Sequence, residues 1–138
     1  MSLLVPFYLM LALSAETPAA PKVETANGDW SKLPSLKAWG YNHLDAKVMA
    51  RLYEISSGGQ CDLPGYSGDR LDMRLSFAAQ FDSGGSLQRI VLPKLDCPEA
   101  EGIVGGALLE MMEEGDYRPT GKNPEGWYRG QFTFSFAG

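Results

Sequence analysis

Histidine occurs once in these 138 residues, at His43, and cysteine twice, at Cys61 and Cys97. A zinc site with four Cys or His ligands therefore cannot be assembled within one chain, and most enzyme classes lose their usual catalytic side chains. Basic residues are also few: 12 Lys and Arg against 17 Asp and Glu leave a formal charge of −5. They lie scattered singly from Lys22 to Arg129, so the sequence shows no positive stripe to neutralise phosphates, and nucleic acid is excluded as an expected partner. The apolar run Leu3 to Leu13 is eleven residues long, short of the roughly 18 to 20 that cross a bilayer as a helix. The chain length suits one domain of ordinary size.

That short run (LLVPFYLMLAL) is followed by the small residues Ser14 and Ala15 and then by the polar ETPAAPKVE, the order of a secretory signal peptide spanning 1–15. No Lys or Arg precedes it, and Pro6 sits inside it. The competing readings are an uncleaved signal anchoring the chain to the inner membrane and a buried first element of the domain. Export gives a periplasmic location and changes the meaning of the cysteines. In an oxidising compartment two thiols in a small domain predict a structural disulfide, Cys61 to Cys97, rather than a reactive pair. Neither lies in a Cys-x-x-Cys arrangement.

Residues 16–41 read as a leader or linker: ETPAAPKVETANG holds Val23 as its single large aliphatic side chain. Trp30 and Trp39 close behind it are expected to cover the domain rather than stand in water. From Asn42 the period becomes helical, with Leu44, Val48, Leu52 and Ile55 on one face. A helix over 43–56 follows, with Asn42 as its N-cap and Gly58-Gly59 as its end. Leu71 to Phe81 alternate apolar and polar residues, which predicts a strand with one wet face. Asp82-Ser83-Gly84-Gly85 turns the chain, Ser86 to Leu92 return, and Pro93 stops the hairpin. A second helix is expected over 98–114, opened by Pro98 and ended at Gly115, with Gly105-Gly106 permitting close approach to the sheet. The last segment places Tyr128, Phe132, Phe134 and Phe136 on one face and Trp127, Arg129, Gln131, Thr133 and Ser135 on the other.

The order helix, strand, strand, helix, strand predicts an α+β fold over 42–138. It is expected to have two layers: a three-stranded antiparallel sheet in the order 2-1-3, with both helices on its apolar face. Its segments LSFAAQFDSGGSLQRIVL, EGIVGGALLEMMEEG, DYRPTG and WYRGQFTFSF resemble the C-terminal domain of TonB and TolA type periplasmic proteins. The TolA branch is the more similar in its first helix and its two cysteine positions. The resemblance implies a binding module rather than an enzyme, without catalytic residues, metal or cofactor, monomeric or weakly dimeric. A periplasmic or outer-membrane protein would add to the sheet by β-augmentation along the last strand, at Arg129, Gln131, Thr133 and Ser135. The linker is too short to reach between two membranes, so the sequence looks like a stand-alone form and energy transduction is not carried over.

Two other classes remain open at this stage. A secreted inhibitor or decoy could use the same edge to occupy an enzyme or toxin. A small periplasmic enzyme would have to use His43 with Asp45 and Glu54, or the carboxylates Glu110, Glu113 and Glu114, or an aromatic platform of Tyr117, Trp127 and Tyr128. For these the plainer readings are a helix-end surface residue, a solvated helix face and core aromatics.

Overall fold

A computed structural model describes residues 20–38, 44–120 and 122–138. Its central element is the strand with the clearest alternation. β3 (Arg70–Phe81) buries Leu71, Met73, Leu75, Phe77, Ala79 and Phe81 on one face while Arg70, Asp72, Arg74 and Ser76 stay exposed on the other. β4 (Leu87–Leu92) returns antiparallel to it after a turn in which the Asp82 carboxylate accepts from the N–H groups of Gly84 and Ser86. Gly85 occupies the left-handed region there, at φ 83°. β6 (Gly126–Ala137) pairs antiparallel with the whole of β3, from Arg70 opposite Ala137 to Phe81 opposite Gly126.

Two helices cover the apolar face. α1 (Ala46–Ser57) lies over β6, and α2 (Pro98–Glu113) over β4. α1 starts later than the 43–56 expectation and is capped by Asp45, whose carboxylate accepts from the Lys47 N–H at 2.7 Å. The Asn42 cap lies outside the described residues. Leu52 and Ile55 of α1 are fully buried, and the Tyr53 ring meets Phe136 with centroids 5.7 Å apart. α2 opens on Pro98, where the missing N–H costs nothing, and closes with Gly115 at φ 80°. The core is one cluster formed by the inner faces of both helices, the odd positions of β3, and Ile90, Leu92, Tyr128 and Phe132.

The expected three-stranded antiparallel sheet is overturned. The described residues form a four-stranded mixed sheet in the order β1-β4-β3-β6, together with a separate two-stranded pair. The added strand β1 (Lys22–Thr25) comes from the stretch read as linker and runs parallel to β4, Val23 opposite Ile90. β2 (Lys37–Ala38), from the same leader, pairs antiparallel with β5 (Tyr117–Arg118), between α2 and β6. The three strands that were expected stay adjacent as β4-β3-β6, but one of their two edges is occupied.

Gly105 is what allows the fourth strand to sit there: a Cβ on it would meet Val23 Cγ1 at 2.7 Å. Its neighbour Gly106 faces open space, so of the glycine pair only the first serves close approach. From β1 the chain crosses the polar face of the sheet to the far edge, where Leu36 enters the core. Ala78 and Val91, register neighbours on that nominally wet face, are buried.

Candidate functional site

The site is built on the outermost strand. In an extended strand successive residues aim their N–H and C=O groups to opposite sides. Even-numbered residues of β6 address β3, so Arg129, Gln131, Thr133, Ser135 and Ala137 face outward.

Arg129 is already occupied. Its N–H donates to Pro34 O at 2.9 Å, its carbonyl accepts from the Leu36 N–H at 2.8 Å, and its Nε donates to Leu33 O at 2.9 Å. This is a one-residue parallel bridge made by residues 33–36, which act as a strap. Thr120 Oγ1 donates to Ser35 O, and Tyr128 Oη donates to Thr120 O. The next outward carbonyl, Gln131 O, accepts from Tyr117 Oη at 2.8 Å. That phenol is buried and stacked edge-on against Phe77, centroids 5.4 Å apart. Burial, with the Asp116 charge second, pushes its pKa up to about 12.

Past Gln131, no strand other than β3 pairs with β6 among the described residues, so its outer side carries none. The outward backbone of Thr133 and Ser135 is open, and this part of the edge also lies outside the strap. Its side chains are partly engaged. Ser135 Oγ accepts from Arg70 Nη2 at 2.5 Å and donates to Asp72 Oδ1, while Arg70 Nε pairs with Asp72 Oδ2 at 3.0 Å. The Ser135 hydroxyl, then the Arg70 charge, hold the Asp72 carboxyl below its usual range. Thr133 lies opposite Arg74.

The four residues expected to bind a partner therefore separate into two groups. Arg129 and the Gln131 carbonyl are held by the chain itself, whereas Thr133 and Ser135 stand on an uncovered edge. The sequence predicts that Trp30 and its neighbours cover the domain, but not that residues 33–36 just after Trp30 would bridge to Arg129 as a strap. Sequence reasoning also missed a groove of about 570 Å³ between the strap and the sheet face, with Trp30, Arg74, Ser76, Arg129 and Gln131 in its wall.

The cysteines are joined. Cys61 and Cys97 form a disulfide with Cα atoms 5.9 Å apart, tying the loop after α1 to the start of α2. Beside it Arg51 clamps Glu99 with hydrogen bonds of 2.6 and 2.8 Å, and Gln60 adds one of 2.9 Å to the same carboxylate. The Arg51 and Gln60 hydrogen bonds lower the Glu99 pKa to about 2.

The rival catalytic groupings fare differently. His43 lies outside the described residues. Glu110, Glu113 and Glu114 are exposed, and no cluster of three His, Cys, Asp or Glu able to hold a metal occurs among the described residues. Tyr117 and Tyr128 are buried in the core, while Trp127 is on the opposite face of β6 from Tyr128. The apolar run at 3–13 lies outside the described residues, among which no helix is long and apolar enough to cross a membrane. No family model, curated protein or solved structure matches this chain.

Proposed function

We propose that the chain is a protein-binding module of the cell envelope that takes an extended segment of a partner protein along the outer edge of β6, at Thr133 and Ser135. The observation that carries this reading is the open, outward-facing backbone of an edge strand whose inner edge is paired along its full length with β3. Such an edge is a template for one more strand, with main-chain hydrogen bonds supplying affinity and alternate side chains selectivity. The resemblance to TonB and TolA C-terminal domains supports the same mode of binding, with a four-stranded sheet here in place of three strands. The disulfide supports an oxidising compartment and, with the signal-like first fifteen residues, a periplasmic location. In this reading the module is not an enzyme and uses no cofactor. The edge at Arg129 is closed to a partner by the strap and the Gln131 carbonyl by Tyr117, which confines docking to the edge past Gln131.

The test is selection of peptides from a random display library on the full chain, followed by residue-resolved hydrogen exchange with the selected peptide bound. Slowed exchange at the Thr133 and Ser135 amides is expected. Protection confined to other surfaces, or a selection without binders, removes the proposal.

A further inference from the structure

We infer that the partner segment is acidic and that Arg74 is its charged anchor on the polar face of the sheet. The inference rests on the edge reading above for the partner's extended form; what it adds is the partner's charge. Residues paired in register share a face, so the polar face can be enumerated across all four strands. It carries Lys22, Arg70, Arg74, Arg89 and Arg129 against Glu24 and Asp72. This face is therefore net +3 on a chain whose total is −5.

Pairing within the face leaves a particular surplus. Glu24 lies 3.7 Å from Arg89, and Asp72 is held by Arg70. Arg129 spends its Nε on a neutral carbonyl and has no ion-pair partner among the described residues. Arg74 has no hydrogen-bond or ion-pair partner among the described residues, although it stands opposite Thr133 at the open edge and lines the groove that Arg129 also lines. Asp29, in the same wall, directs its carboxylate to the Ser31 N–H at 3.0 Å.

Arg74 and Arg129 stand four positions apart along the paired strands, about 13 Å at 3.3 Å per residue. An extended segment beside Thr133 and Ser135 presents alternate side chains over the polar face, where carboxylates are drawn to Arg74, and the Arg129 guanidinium beside the strap adds to the positive field. Arginine is the side chain whose fork fits a carboxylate. A lipid surface fits less well, because a face that lies on a membrane combines basic residues with apolar ones that insert. Val23, an exposed large apolar residue, is in register with buried Ile90 on the opposite face, and Trp30 and Trp127 on the polar side are half-buried against the protein.

Fluorescence anisotropy on the full chain tests this with three labelled ten-residue peptides that alternate Thr with Glu, Lys or Ser. Vesicles of phosphatidylglycerol are titrated in parallel. The Glu peptide is expected to bind at least about tenfold more tightly than the other two. It should weaken as salt shortens the Debye length from about 30 Å to below 10 Å, and lose about tenfold on Arg74→Gln but not on Lys47→Gln. Equal binding of the three peptides, no binding of the Glu peptide, or binding to vesicles alone overturns the inference.

Thr133→Pro removes one outward N–H without touching the ladder to β3 and so separates the two readings. If it abolishes binding while Arg74→Gln changes nothing, the acidic partner is refuted and the edge stands. If Arg74→Gln abolishes binding while Thr133→Pro changes nothing, the acidic partner stands and the edge reading falls.

Discussion

Replacing both Cys61 and Cys97 by alanine removes a cross-link that closes a loop of 36 residues between the end of α1 and the start of α2. In the chain-entropy description, freeing a loop of that length in the unfolded state costs about 4 kcal/mol. That is a large share of the roughly 5 to 15 kcal/mol typical of a domain. The neighbouring Arg51–Glu99 clamp spans the same junction but is solvent-exposed, with 42% and 40% of the two side chains accessible, and does not replace the covalent tie. For 138 residues each kcal/mol shifts the melting temperature by about 3 to 4 °C, so a drop of about 12 to 16 °C is expected. Urea unfolding followed by tryptophan fluorescence measures the free energy directly. The slope m should rise as well, because an unlinked unfolded chain exposes more surface. A double variant within about 1 kcal/mol of the parent, with unchanged m, would refute the reasoning.

Other substitutions probe the packing that positions the edge. A Cβ at Gly130 would stand 2.4 Å from Cζ of the fully buried Phe77, so Gly130→Ala should cost about 1 to 3 kcal/mol by overpacking, read by urea midpoint. Leu36→Ala removes the apolar anchor of the strap, which is 8% exposed. It should cost about 2 to 5 kcal/mol and speed exchange of the Arg129 amide. The Glu99 carboxyl titrates at about 2 in the folded chain against an ordinary 4.5. Its contribution to stability is thus complete above pH 4.5 and lost as pH falls toward 2; the Glu99→Gln variant should lack that part of the acid dependence in pH-resolved melts.

Much of the β3–β4 hairpin, α2 and β6 was legible because each carries a strong period and its own stop signal: Gly84-Gly85 in the turn, Pro98 and Gly115 around the helix. The disulfide was legible from the cysteine count once export was assumed. β1 was not. All four of its residues are exposed and Val23 alone is aliphatic, so the strand exists through backbone pairing with β4 and through a glycine eighty residues away that makes room for it. β2 and β5 are two residues each and carry no period. At the first helix, Asn42 and Asp45 are equally good cap types three residues apart, and propensity does not choose between them.

The site divides along the same line. The alternation of β6 told which side chains share its polar face, but the covering of Arg129 is a contact made across the whole sheet by residues 33–36. Only the fold reveals it. Arg74 was visible as one more polar residue on a wet strand; that it has no partner among the described residues depends on how Arg70, Asp72 and Ser135 satisfy one another nearby.

Residue-resolved hydrogen exchange of the free chain tests the open edge of β6 most directly. The amides of 128, 130, 132 and 134, bonded to β3, should be slow, as should Arg129, bonded to Pro34. Those of Thr133 and Ser135 should exchange orders of magnitude faster, as expected for exposed backbone groups. Equally slow exchange at 132, 133, 134 and 135 would mean that something already occupies the edge, and the proposed docking strand would be lost.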